Sequence, residues 1–522
     1  MSFVVRIVQE QWPIEPLCDS HSRKEFARVN RSTLSMSFAS LCLRGREPGF
    51  GGLLGGLKKT GLAFNMAAPR GCKGSSIERD SMDQPTNAGL VRGLSRWDLT
   101  AVAVNGIIGA GIFGLPAKVY SRVGAFSLVA FIVCAIVVTL IILCFCEVGS
   151  RFTETGGPYL YARKAFGRLV GFEVGWMIWL ARLTAFAANC NLLIGYLSYF
   201  WPAANAGIIR ATVISFVVIA LTAVNIIGIR DVARVTNLFT VVKLLPLLLF
   251  IGAGLFFLNP YAYSFAEPPT YGAFSASVLI LIYAFTGFEM AVIPAGEVQD
   301  PQRNMPIAIL TAIGVVTVLY LLIQVVCIGT LPELATSDTP LADSSERFLG
   351  VAGAGIISAG ALLSIIPNLN VILLAGSRLP FAMSDRRELP RVLSLTHARF
   401  HTPHISILLT SVVVLVLTLS GTFIYAATIS AIARLLAYAG TCAALPVLRR
   451  APGASRPVFK LKWGVAASIA SLALIAWLLT NTTMNEARDA GIAVGLGLLV
   501  YLAYGRKRRP AEPQAVLTPP NS

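Results

Sequence analysis

The sequence is short of the residues from which most soluble chemistry is built. Only 13% of its 522 residues are charged, whereas soluble chains carry about 25%. It has four histidines, none in a HExxH arrangement, which leaves little material for a hydrolytic metal site. Its nine cysteines follow no metal spacing and no disulfide framework, and six of them (Cys134, Cys144, Cys146, Cys190, Cys327 and Cys442) lie in apolar runs. No nucleophile–base constellation emerges either, so an enzyme is the least favoured class and no cofactor or metal is expected. Alternating segments of about ten residues, the mark of a transmembrane barrel, are missing. Acids are also scarce, 26 against 43 lysines and arginines, for a net charge of +17. That excess does not point to nucleic acid, because the basic residues cluster in alternate short loops between apolar runs.

What the chain has in abundance is apolar sequence: 55% hydrophobic residues and a mean hydropathy of +0.70. Runs of about 20 residues, the length that crosses a bilayer, recur from near residue 98 to the end. The fold class is an all-α polytopic membrane protein with about twelve spans, near 97–120, 125–149, 169–200, 207–228, 235–258, 271–295, 306–330, 351–376, 404–420, 422–447, 463–480 and 488–504. Residues 1–95 are polar and lack a signal-peptide pattern, so they read as a disordered cytoplasmic tail. A true start at Met66 or Met82 would remove much of it. Helices 1–10 then form a core over 96–447, helices 11 and 12 occupy 448–505, and 506–522 is a second tail.

Charge sets the orientation. Loop 150–168 carries Arg151, Arg163, Lys164 and Arg168, and loop 377–403 carries Arg378, Arg386, Arg387, Arg391 and Arg399. Loop 448–462 has Arg449, Arg450, Arg456, Lys460 and Lys462, and the tail has Arg506, Lys507, Arg508 and Arg509. With an even number of spans these fall on one side, whereas loop 331–350 is acidic. Both termini are therefore expected in the cytoplasm, with the protein in the cell membrane.

The first span is built against its own stability. It contains NGIIGAGIFGLP, residues 105–116, although an interior glycine costs a helix about 1 kcal/mol and a proline about 3. The sixth span, LIYAFTGFEMAVIPAGE (281–297), has a similar weak middle at Thr286 and Gly287. Interrupted segments five spans apart, in two halves of opposite topology, point to the substrate site of a secondary transporter. An interruption leaves N–H groups free on one helix stub and C=O groups free on the other. These ends carry opposite partial charges, which suits a zwitterion. Gly109, Ala110 and Gly111 offer no bulk to keep a ligand from the backbone. Close packing through small residues is the competing explanation for the first segment alone.

These stretches, with EVGSRFTETGGPYLYARKAFG (147–167) and YAFTGFEMAVIPAGEVQDPQRNMPIAI (283–309), resemble the amino acid–polyamine–organocation (APC) superfamily over about residues 95–505. The resemblance implies a LeuT-type fold, two inverted five-helix repeats plus two C-terminal helices, with helices 1 and 6 interrupted. It also implies transport of amino acids or related amines. The carboxylate falls to the amides of Gly109, Ala110 and Gly111. The ammonium falls to the carbonyl of Ile107 and those of Tyr283, Ala284 and Thr286, with Ile108, Phe285 and Gly287 completing the site. Many relatives have serine where Ala110 stands, so one hydroxyl contact is missing.

Three groups within the spans are open to more than one reading. Lys243 lies nine residues past Arg234, ~14 Å into the fifth span. It resembles the fifth-helix lysine of relatives that stands where sodium-coupled members bind their ion. It is read as the proton-coupling group or as a fixed counter-charge. Glu289 resembles a gating or proton-sensing acid, or is a helix-end carboxylate satisfied locally. Tyr283 is a gate aromatic or a packing residue. Arg182 and Arg434 have no assigned role. The function expected is amino-acid transport, with the proton as coupling ion, by alternating access. Amino acid/amine (polyamine) exchange is the alternative, and a transport-inactive sensor is less favoured.

Overall fold

The computed structural model describes residues 96–152, 157–228, 232–289, 301–451 and 457–505. The expected tails at 1–95 and 506–522 lie outside these, as do residues 290–295 of the sixth span. The described residues are helical, with no strand among them. In chain order the helices are α1 (Arg96–Ile107), α2 (Gly111–Val123), α3 (Ser127–Gly149), α4 (Gly157–Phe166), α5 (Arg168–Leu197), α6 (Gly207–Ile227) and α7 (Val232–Gly254). They continue as α8 (Tyr271–Phe285), α9 (Pro301–Thr330), α10 (Pro340–Asp385), α11 (His404–Ser420), α12 (Phe423–Arg450), α13 (Gly464–Leu479) and α14 (Met484–Val500). By length and composition, seven helical stretches among the described residues can cross a membrane, and shorter apolar helices accompany them.

Two elements depart from the expected spans. The basic loop after α3 contains α4, whose Tyr159, Leu160 and Tyr161 are buried while Lys164 is exposed. The eighth span belongs to α10, which begins at Pro340 inside the acidic loop and bends at Gly350 (φ 65°, ψ −165°). Only glycine adopts that backbone conformation readily.

Buried charges tie the loops of one end together. Glu147, fully buried at the end of α3, accepts two bonds of 2.6 Å from Arg449 of α12 and one of 3.0 Å from the Leu461 amide. At the same end, Glu388 accepts a 2.9 Å bond from Tyr159 of α4 and lies 3.5 Å from Arg163. Phe152 stacks on Tyr161 of α4. The opposite end carries the ion pair of Lys118 in α2 with Asp338, at 2.7 Å. Between the ends, Phe131, Phe285 and Tyr320 pack edge to face and join α3, α8 and α9.

Candidate functional site

α1 closes with a regular turn, the Ile108 amide donating to the Val104 carbonyl at 2.9 Å. The chain then doubles back, and the Gly109 amide donates to the Ile107 carbonyl at 2.8 Å. α2 starts afresh at Gly111 with Ala110 as its N-cap. The amides of Ala110 and Gly111 thus head a new helix, where geometry supplies no intrahelical carbonyl. The second interruption follows α8. Thr286 is extended, Gly287 has φ of +110°, and the Thr286 hydroxyl donates to the Tyr283 carbonyl at 2.8 Å.

The two interruptions touch. A Cβ on Gly287 would lie 2.1 Å from the Gly106 carbonyl oxygen, and one on Gly111 would lie 2.9 Å from the Cα of Ala284. The Tyr320 hydroxyl of α9 spans them, 3.1 Å from the Ile107 carbonyl and 3.2 Å from that of Ala284. From α10, the Asn368 amide approaches Gly109, whose Cβ would meet it at 3.0 Å. All the residues expected at the site, Ile107, Ile108, Gly109, Ala110, Gly111, Tyr283, Ala284, Phe285, Thr286 and Gly287, belong to these two segments. Their backbone poles are partly occupied already. The Gly109 amide is spent on Ile107, and the Ile107 carbonyl also meets Tyr320.

Lys243 of α7 donates to the carbonyls of Asn105 and Ile108, both at 2.8 Å. Its ammonium therefore sits on the C-terminal, electronegative pole of α1. No carboxylate pairs with it among the described residues. Its partners among the described residues are backbone oxygens.

Glu289 stands two residues beyond Gly287 and is buried. It accepts from Arg434 at 2.8 Å, from Tyr438 at 2.9 Å and from the Gly287 amide at 2.9 Å. Both α12 partners lie on one helical face, four residues apart. Tyr283 is buried and its hydroxyl bonds the Asn189 side chain of α5. Sequence reasoning missed Tyr320, Asn189, Asn368 and Tyr438. Their only signal was a polar group within an apolar run, which does not name its partner. Among the described residues, no group of three or more His, Cys, Asp or Glu is placed to hold a metal.

The described residues thus bring together two facing interruptions, with the Lys243 ammonium on the carbonyls at the end of α1. Comparison with known proteins places the chain among transporters. The family model for amino acid permeases matches residues 94–500. The methylthioribose transporter of Bacillus subtilis (strain 168) is 28% identical over 446 residues, 81% of this chain and 95% of that protein. The branched-chain amino acid permease of the same organism is 28% identical over 339 residues, 61% of this chain and 72% of that protein. Its serine/threonine exchanger is 26% identical over 422 residues, covering 78% and 95% respectively. The chain belongs to the amino acid permease family, within the APC superfamily.

Proposed function

We propose that the protein is a proton-coupled amino-acid symporter of the cell membrane, working by alternating access. The reading includes twelve spans, two inverted five-helix repeats followed by two further helices, and both termini in the cytoplasm. The observation that carries it is the Lys243 ammonium on the Asn105 and Ile108 carbonyls, beside the interruption of α1. The substrate carboxylate sits on the amides of Ala110 and Gly111. Its ammonium takes the carbonyl of Ile107 and those at the end of α8, displacing the Tyr320 hydroxyl. The Gly109 amide stays on Ile107 and shapes the turn rather than binding the carboxylate.

Coupling follows from the Lys243 contacts. As an ammonium, Lys243 clamps the end of α1. When it gives up its proton the two bonds lose their charge and weaken, and the hold on the electronegative end of α1 is relaxed so that α1 can move with its bundle. A proton bound at one face and released at the other thus accompanies each substrate. Glu289, held by three donors, keeps the start of the segment beyond Gly287 in place and is secondary in coupling.

Exchange is the second reading, favoured by the 26% identity to a serine/threonine exchanger. A dicationic polyamine is disfavoured, because Lys243, Arg182 and Arg434 already crowd the region with positive charge. The test is uptake of a panel of labelled amino acids into proteoliposomes. Accumulation above equilibration is expected only with the outside more acid, and a protonophore should abolish it. Uptake that ignores the gradient but demands substrate inside would replace symport by exchange.

A further inference from the structure

Arg182 is the one buried arginine near the interruptions that the account above leaves without work. It is 7% exposed, yet its Nε and Nη1 atoms have no hydrogen-bond partner among the described residues. An uncompensated guanidinium in a dry interior is costly, so an acceptor is called for. Among the described residues Glu289 is the acid that interacts with it, but its carboxylate already receives Arg434, Tyr438 and the Gly287 amide. Among the described residues two guanidinium groups thus share one carboxylate, leaving an excess positive charge.

The position of Arg182 relates that charge to the site. One residue before it, the Ala181 carbonyl accepts from Ser430 of α12 at 2.8 Å. One turn after it, the Ala185 carbonyl lies 3.4 Å from the Tyr283 hydroxyl at the second interruption. On its other flank is Gly376 of α10, whose Cβ would lie 3.8 Å from that of Arg182. That helix is also the one whose Asn368 reaches Gly109. Arg182 is therefore on α5 where that helix meets α12 and α10, one turn from the Ala185 carbonyl that faces the Tyr283 hydroxyl. A substrate held at the interruptions would bring an anionic group to Arg182 only through a side chain long enough to pass Tyr283 and span that turn of about 5.4 Å.

We propose that Arg182 recognises an anionic group on the side chain of the transported amino acid, so that substrates ending in a carboxylate are selected. This rests on the amino-acid reading above and adds the substrate class. A free inorganic anion such as chloride offers the same chemistry, and the test separates the two sources.

The first arm uses the unmodified, full-length protein in proteoliposomes, with L-glutamate competing against L-glutamine and L-norleucine for uptake. Glutamate is expected to compete about tenfold to a hundredfold better, the range for a hydrogen-bonded charge. Arg182→Met should erase that preference, while Arg182→Lys should retain part of it, with thermal unfolding recorded for each. If Arg182→Met does not fold, the unmodified protein and Arg182→Lys decide the matter by themselves. Glutamate competing no better than norleucine overturns the proposal, and if the neutral amino acids are still taken up the transport reading stands. No uptake of any amino acid would instead remove the reading beneath it. The second arm replaces chloride by gluconate. Norleucine uptake that depends on chloride, and on Arg182, would assign the site to the inorganic anion and overturn the side-chain role.

Discussion

Purified and reconstituted Lys243→Met should lose gradient-driven accumulation of substrate by at least about tenfold, while counterflow of internal for external substrate persists. The physical ground is the pair of 2.8 Å bonds from its ammonium to the Asn105 and Ile108 carbonyls. Methionine fills a similar volume but neither binds a proton nor donates. The two carbonyls then lose their described side-chain partner, at a cost of about 1–3 kcal/mol for each left unsatisfied in a buried site. A lowered melting temperature is therefore part of the expectation. Counterflow needs no net proton cycle, which is why it should outlast accumulation. Loss of both activities in a protein that still melts cooperatively would assign Lys243 to holding α1 rather than to coupling. Undiminished accumulation would remove both roles and leave Glu289 as the leading coupling group.

Gly287→Ala should be more damaging still, though it adds a single methyl group. Gly287 has φ of +110°, which costs a non-glycine residue about 1–3 kcal/mol. The new Cβ would also stand 2.1 Å from the Gly106 carbonyl oxygen and 2.6 Å from its carbon. Those are backbone atoms of the facing segment and cannot rotate away. The total should exceed about 3 kcal/mol, enough to force the two interruptions apart. The checks are thermal melting in detergent and equilibrium binding of a labelled amino acid, with both expected to fall sharply. Wild-type melting and affinity would mean that the contact between Gly287 and Gly106 is not part of the working protein.

The interruption of the first span was legible because its residues violate a local rule. Four glycines and a proline from Gly106 to Pro116 would not be expected within an uninterrupted helix, whatever its surroundings. The second interruption was legible only beside the first, since Thr286 and Gly287 alone are a faint signal. The short helix α4 was not legible, because GPYLYARKAF mixes charges and aromatics with no clean apolar stripe. Its Tyr159 is instead held by Glu388, 229 residues away. The bend at Gly350 was hidden for a similar reason, as a lone glycine in a helical pattern has several uses. The tyrosine bridge was the least legible of all. Tyr320 meets α1 across 213 residues of sequence, and nothing in its neighbours VTVLYLLI announces a hydroxyl partner. The same holds for the Arg434–Glu289 pair, where each charge was visible but the pairing needed the fold.

The central claim is that the backbone poles of the two interruptions read both ends of a zwitterion. The most direct measurement is competition for binding of one labelled amino acid to the purified protein by three compounds. These are the same amino acid unlabelled, its decarboxylated amine, and its deaminated acid. The account predicts that only the intact amino acid competes, because each of the other two leaves one pole without its partner. An amine that competes as well as the amino acid would contradict it, and would turn the site toward amines and away from the amides of Ala110 and Gly111.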